Sequence, residues 1–295
     1  MSDRATVRAT LTGIGAVLSW ALLALLTDLS GQVPPLQLTA MSFGVAFALA
    51  LVLWARRGQN PLRRLRQPAG AWILGVAGLF GYHAMYFVAL RNAPVVEASL
   101  IAYLWPLLIV LFAALLPGQR LRLIHVAGAL AGFAGAVLIV ARAGLSFDPR
   151  FTAGYLAASA CALIWSGYSV LNRRFAGVPT DVVGGFCGVT AVGATALHLA
   201  FEVTVWPVGA EWLAVFALGL GPVGGAFFLW DIGTKRGDLR VLGAAAYLAP
   251  LLSTVILVAA GATEATWRVA LACLLITGGA ALASSDMLRR RDHAS

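Results

Sequence analysis

The sequence predicts an all-α polytopic membrane protein of ten transmembrane helices. They form two inverted five-helix repeats, with the N- and C-termini in the cytoplasm. Three observations carry this reading. Hydrophobic residues make up 60% of the 295 positions and charged ones only 11%, against about 25% charged in an ordinary soluble domain. Apolar runs of about 20 residues, enough to cross a ~30 Å hydrocarbon core, recur along the whole chain. The chain also repeats itself at a shift of 144 residues, AYLWPLL at 102–108 returning as AYLAPLL at 246–252.

The runs are too long and unbroken for barrel strands, and in lipid each span must satisfy its own backbone hydrogen bonds, so the spans are helices. In order they fall at 9–29, 35–55, 70–90, 95–116, 123–142, 152–172, 181–204, 211–232, 239–260 and 266–287. The first is longer than the apolar core of a signal peptide and no convincing small-residue cleavage site follows it. The loops between the others are short, leaving no room for a soluble domain. Arginines mark the loops: Arg56, Arg57, Arg63, Arg64 and Arg66 after the second span, Arg120 and Arg122 after the fourth, Arg173 and Arg174 after the sixth. Lys235, Arg236 and Arg240 follow the eighth span and Arg289–Arg291 the tenth. With a cytoplasmic N-terminus, 17 Lys and Arg lie on the cytoplasmic side and 4 (Arg91, Arg142, Arg150, Arg268) on the other. The positive-inside rule therefore puts both ends in the cytoplasm.

The repeat extends beyond the heptapeptide. At the same shift Leu74-Gly75 falls on Leu218-Gly219, Gly81 on Gly225, Tyr86 on Trp230, Arg91 on Lys235 and Gly135-Ala136 on Gly279-Ala280. The first and sixth spans align less clearly, around Trp20 and Trp165. Two units result, 1–145 and 150–295, within one integrated membrane domain. Because five spans is an odd number, the second unit enters the membrane upside down. Inverted repeats are the architecture of secondary transporters, whose substrate site lies at the midplane between the units.

Other functions find little support. The net charge of +9 resides in short loops rather than in a basic stripe with interleaved aromatics, which argues against nucleic-acid binding. Cys161, Cys187 and Cys273 lie in separate spans without CxxC spacing, implying neither disulfide nor metal. GLGPVG at 219–224 satisfies G-x-G-x-x-G but lies inside a span with no preceding strand. Its glycines, like the GxxxG pairs Gly128/Gly132, Gly184/Gly188 and Gly221/Gly225, read as close helix packing. No phosphate-binding G-x-x-x-x-G-K-[ST] loop occurs, and no cofactor or metal is implied. An intramembrane enzyme would need clustered buried acids or a convergent Ser/His pair, and no such pattern is visible.

Several side chains are out of place for simple anchoring. Tyr82, His83 and Tyr86 form a polar-tipped aromatic stripe in the third span, and ionisable groups at that depth usually face a cavity or the bundle interior. A packed histidine bonded to a neighbouring helix is the plainer alternative for His83. Tryptophan prefers the interface belts, so Trp20, Trp105 and Trp165 near span centres suggest an aromatic-walled cavity. Bulky core packing competes for each of them singly. Tyr168 continues the Trp165 face. Trp206, Trp212 and Trp267, at span ends, read as belt residues. Tyr103 and Pro106 share a face of the fourth span, Tyr247 and Pro250 one of the ninth, and Phe227 of the eighth completes the candidate set. Each proline ring clashes with the carbonyl four residues back, Ala102 or Ala246. One such proline reads as a packing bend; two at equivalent positions of inverted units read as gating hinges. Glu97 and Asp231 lie near span ends and read as solvated, and Asp28 and Glu202 are weaker still, so no buried acid presents itself as a proton carrier.

A ten-helix 5+5 chain with paired A-Y-L-x-P-L-L helices resembles the drug/metabolite transporter superfamily, EamA type. The stretch GYHAMYFVALRNAPVVEASLIAYLWPLL at 81–108 is similar to that of the superfamily's aromatic amino acid exporters. The resemblance implies a cavity lined by the first, third, fourth, sixth, eighth and ninth helices. It also implies alternating-access export of a small aromatic metabolite, most simply an aromatic amino acid, across a bacterial inner membrane. Its partners would be that small-molecule substrate and the lipid bilayer, with no nucleic acid. Export of another amphiphilic solute, a drug or a hydrophobic amino acid, is the alternative within the class.

Overall fold

A computed structural model describes residues 3–116, 121–141, 147–259 and 266–292. The described residues contain no β-strand. Nine helical spans among them are long and apolar enough to cross a membrane: α1 (Arg4–Asp28), α2 (Pro35–Arg56), α3 (Ala69–Asn92), α4 (Val95–Ala113), α5 (Leu123–Val140), α6 (Pro149–Phe175), α7 (Val182–Phe201), α8 (Glu211–Arg236) and α9 (Leu239–Ile256). A further helix, α10 (Trp267–Asp292), is apolar over the shorter stretch Trp267–Ala283. The ten positions agree with the predicted runs to within a few residues. The difference that matters is at α8, which continues through Lys235 and Arg236 rather than stopping near residue 232.

Many large apolar side chains point outward, among them Leu163, Val192, Leu199 and Leu274. An outer surface of this kind is what hydrocarbon, rather than water, requires. The largest buried cluster draws residues from α1, α2, α3, α4, α6, α7, α8 and α9. A smaller one joins α5 and α10 to Tyr247 and Leu251 of α9. Helices pack in pairs: α1 on α8, α3 on α6, α2 on α7, α4 on α9 and α5 on α10. Small residues set the close approaches. A methyl on Gly128 of α5 would sit 2.5 Å from the carbonyl oxygen of Gly279 in α10. Gly184 and Gly188 of α7 are filled in the same way by Ala50 and Phe47 of α2. Gly221 and Gly225 behave differently from the packing pair expected of them: they bound a turn, Gly221–Gly224, that interrupts α8 between Glu211–Leu220 and Gly225–Arg236.

Five spans are irregular near their centres. α1 breaks after Trp20, α8 breaks at 221–224, and α3 widens into a π-turn at Ala77–Gly81. α4 is divided into Val95–Ala102 and Trp105–Ala113, and α9 into Leu239–Ala246 and Leu248–Ala259. The first halves of α4 and α9 end at Ala102 and Ala246, the residues whose carbonyls Pro106 and Pro250 displace from the helical ladder. The two prolines thus interrupt their helices where ring sterics predict. Backbone groups freed inside a membrane need partners, and the breaks supply them to each other. The Trp20 Nε1–H donates to the Pro222 carbonyl at 3.0 Å, joining the α1 and α8 breaks. The Tyr247 hydroxyl donates to the Tyr103 carbonyl at 3.3 Å, joining the α9 and α4 breaks.

Candidate substrate site

The broken segments surround one aromatic cluster. Trp20 is its hub, with ring centroids 6.0 Å from Trp105, 5.9 Å from Trp165, 6.2 Å from Phe227 and 5.1 Å from Trp230. The Trp105–Trp20 and Trp165–Phe227 pairs meet edge to face, an arrangement that places positive ring edges on negative faces. Tyr82 extends the cluster outward from Trp165 at 5.7 Å and stacks on Tyr86 at 5.9 Å. Trp105, Trp165, Phe227 and Trp230 are buried, whereas Trp20, Tyr82, His83, Tyr86 and Tyr103 are only partly covered. The cluster therefore has a sealed floor and an accessible wall.

Local structure explains how these rings converge. The π-turn at Ala77–Gly81 lies directly before Tyr82. An extra residue in the turn rotates every following side chain relative to a regular helix, and such bulges recur at functional sites. His83 Nδ1 lies 2.7 Å from the Leu79 carbonyl of its own helix. A carbonyl only accepts, so Nδ1 carries the proton, and a neutral ring then offers Nε2 as an acceptor. The ring stands edge-on to Phe43 at 5.1 Å. The Tyr86 hydroxyl pairs with Ser99 Oγ at 3.0 Å, tying α3 to α4.

Of the residues nominated from sequence, Trp20, Tyr82, His83, Tyr86, Trp105, Trp165 and Phe227 come together in this assembly. Tyr168 adjoins it through Trp165 at 5.2 Å. Tyr103 sits at the α4 break beside it, partly covered. Tyr247 does not join: it is fully buried against Gly132 and Phe133 of α5, in the smaller core cluster. Two members went unnominated. Trp230 is the repeat counterpart of Tyr86, and the repeat alignment could have flagged it. Phe43 stacks on Phe227 at 5.5 Å; it lies on α2, outside the six helices expected to line the cavity, and no sequence signal marks it.

The acidic residues correct the sequence reading most. Asp231 is 0% exposed, Glu97 4% and Lys235 5%, so none is a solvated end residue. Glu97 accepts a short hydrogen bond from the Tyr155 hydroxyl. Glu202, its side chain largely covered, pairs with His198 at 2.9 Å and accepts from the backbone N–H groups of Leu36 and Gln37 at the start of α2. Asp231 and Lys235 form a buried ion pair at 2.9 Å one turn apart on α8. Asp231 also accepts from Asn172 Nδ2 at 3.0 Å and Thr180 Oγ1 at 2.6 Å, and Lys235 donates to the Val178 carbonyl at 2.9 Å. The sequence reading put Asp231 at a solvated span end and Lys235 in the loop after it; partners from α6 and the segment after it keep both inside. Trp206 and Trp267, by contrast, are exposed at span ends as belt residues should be.

A bundle of broken, membrane-crossing helices around a half-open aromatic centre defines a polytopic membrane protein of the transporter class. The chain belongs to the EamA-like transporter family, whose profile matches residues 7–141. It is 57% identical over 285 residues to the aromatic amino acid exporter YddG of Ancylobacter novellus, covering 96% of this chain and 98% of that one. The exporter of the same name from Salmonella typhimurium is 26% identical, covering 84% and 86%. A solved crystal structure at 56% identity superimposes with a TM-score of 0.89 over 94% of this chain and 97% of the other. The chain is a multi-pass protein of the bacterial inner membrane.

Proposed function

We propose that this protein exports aromatic amino acids from the cytoplasm by alternating access through the central aromatic cluster. The observation that carries the proposal is the convergence of Trp20, Trp105, Trp165, Phe227 and Trp230, from four different spans, beside the partly covered Tyr82, His83, Tyr86 and Tyr103. An arriving aromatic ring is recognised by the same edge-to-face and stacked contacts that the walls make with one another. His83 Nε2 and the tyrosine hydroxyls serve its polar edge. The activity for which the relatives are named agrees with this chemistry.

The inverted-repeat reading with cytoplasmic termini draws support from the packing. The pairs α1/α8 and α3/α6 exchange under the 144-residue shift, and α2/α7, α4/α9 and α5/α10 each join a helix to its own counterpart. In that topology Trp105–Ala113 and Leu239–Ala246 are the cytoplasmic halves of α4 and α9, and they pack along one another. The outer half of α4, Val95–Ala102, lies instead on α6 and α5. Together with the partly covered Tyr82, Tyr86 and Tyr103, this supports an outward-open state closed toward the cytoplasm. Bending at Pro106 and Pro250 then moves the outer half of α4 and the inner half of α9.

Purified protein in liposomes should carry tryptophan or phenylalanine down its gradient without ATP. Trp165→Ala and Tyr103→Ala should each reduce that flux several-fold while the protein remains monodisperse. Equal movement of leucine and tryptophan by the parent would refute the aromatic assignment and favour a general amphiphile exporter.

A further inference from the structure

The seam between α6 and α8 descends from the aromatic cluster in three layers spaced by about one helical turn. Trp165 faces Phe227 at 5.6 Å. Below them the Trp230 Nε1–H donates to Ser169 Oγ at 3.0 Å. Lowest, Asn172 Nδ2 bridges Asp231 and Thr234, each at 3.0 Å. The seam thus passes from aromatic to hydrogen-bonding to fully charged within about two turns of each helix, and the exporter mechanism proposed above gives no role to its charged end.

The bonding capacity of that end is not exhausted. A lysine ammonium has three hydrogens; Lys235 spends one on Asp231 and one on Val178. A carboxylate offers about four lone-pair directions, of which Asn172, Thr180 and Lys235 take three at Asp231. Two further donors in α6 are buried without a hydrogen-bond partner, the Tyr168 hydroxyl and Arg173 Nε. Tyr168 is 2% exposed and lies one turn before Asn172 on α6. Buried polar atoms left unpaired are costly, and unpaired donors are complementary to an arriving carboxylate. The groups that now hold the pair are neutral: an amide N–H and a hydroxyl on Asp231, a backbone carbonyl on Lys235. A ligand ammonium can replace the first two, and a ligand carboxylate the third.

We infer that Asp231 and Lys235 form a charged subsite for the α-ammonium and α-carboxylate of the amino acid, below the aromatic cluster that takes its ring. When α6 and α8 separate at their cytoplasmic ends, Lys235 exchanges the Val178 carbonyl for the substrate carboxylate. Asp231 exchanges Asn172 or Thr180 for the substrate ammonium. The pair thereby both holds the seam closed, through Asn172, Thr180 and Val178, and selects zwitterions, such as free amino acids, over aromatic amines and acids. The inference rests on the export reading and adds the part of the substrate that reading leaves unassigned.

The test compares tryptophan, tryptamine (no carboxylate) and indole-3-propionate (no ammonium) as labelled substrates for the parent protein in liposomes. The parent should prefer tryptophan over both by about tenfold or more, as hydrogen bonds to charged groups predict. Lys235→Met should lose most of the preference over tryptamine, and Asp231→Asn most of that over indole-3-propionate. Lys235→Arg should keep the preference. Should a single variant fail to fold because its partner charge is left unpaired, the double variant Asp231→Asn/Lys235→Met removes both charges and should lose both preferences together. Equal loss of all three fluxes in folded variants, or unchanged selectivity, would overturn the inference and leave the pair a structural closure. A parent protein that moves none of the three would instead overturn the export reading.

Discussion

Pro106→Ala tests the most direct link between sequence and transport. In the structure the helix ends at Ala102, the Tyr103 N–H reaches Ser99 at 2.8 Å, and the Leu104 N–H reaches Ile101 at 3.1 Å, a tightened turn. Alanine supplies an N–H for the Ala102 carbonyl, a hydrogen bond worth ~1 kcal/mol net. It also removes a ring whose interior-helix penalty is ~3 kcal/mol. If α4 is bent to different extents in the outward-open and inward-open states, the straighter state gains ~1 to ~3 kcal/mol, a shift in population of roughly 5- to 150-fold. Pro250→Ala applies the same perturbation to α9, which the proposed inversion makes the opposite gate. The assay is thiol labelling of single cysteines near Glu97 and near Lys235, in a background lacking Cys161, Cys187 and Cys273, alongside tryptophan flux. Labelling should shift mainly near Glu97 for Pro106→Ala and mainly near Lys235 for Pro250→Ala, and both should slow transport. Identical shifts, or full activity in both, would refute the hinge and leave two packing bends.

Three further outcomes are expected. Gly128→Ala should lower thermal stability in detergent by about 1–3 kcal/mol of overpacking, since its methyl meets the Gly279 carbonyl at 2.5 Å, whereas Gly278, with nothing within 4 Å, should accept alanine without loss. Asp238 begins α9, accepting from the Arg240 backbone N–H and, through both oxygens, from its guanidinium; burial pushes its carboxyl up, but these bonds and the Arg240 charge outweigh that and hold it below the ordinary carboxylate value. A depressed folded-state value stabilises above the unfolded one and is lost as pH falls through it, so Asp238→Asn should cost most near neutral pH, and the deficit measured by thermal melting should vanish in acid. A reporter active only outside the cytoplasm should stay silent when fused to the C-terminus, and a signal there would remove the ten-span inverted topology.

What the sequence disclosed and what it hid divide along physical lines. Span positions were legible because hydrocarbon imposes length and composition on each helix separately. The α4 and α9 breaks were legible because proline sterics are local. The rings of Trp20, Trp105 and Trp165 announced themselves by standing at a depth that belt residues avoid. The Asp231–Lys235 pair was hidden because a charge at the end of an apolar run looks the same whether water or Asn172, Thr180 and Val178 receives it, and those partners lie more than fifty positions away. Tyr247 misled for a related reason. Its heptapeptide matches that of Tyr103, but the counterpart ring packs into α5 and uses its hydroxyl to satisfy the opposite break. The π-turn before Tyr82 left no composition signal, since AGLFG is an ordinary apolar pentapeptide.

The repeat makes the departures from symmetry informative. At the 144-residue shift Trp230, Asp231 and Lys235 fall on Tyr86, Phe87 and Arg91. The first-unit triplet is built for an accessible surface: Tyr86 is partly covered and bonded to Ser99, while Arg91, exposed, lies over the Phe87 ring at 5.4 Å. The second-unit triplet occupies the same helical positions but is buried, with an ion pair where the first has a cation over a ring. On the inverted topology proposed above, the two mouths therefore differ in how they treat charge. In the proposed subsite Lys235 gives up Val178 and Asp231 gives up Asn172 or Thr180 to a zwitterion, whereas Phe87 stands where the first unit would need the equivalent acid. On that proposal, a substrate that engages Asp231 and Lys235 at the inner mouth finds no ion pair at the corresponding positions 87 and 91 and loses its strongest contacts as the seam closes beneath it. In the outward-open state proposed above, that difference in contacts is a physical reason to release an amino acid.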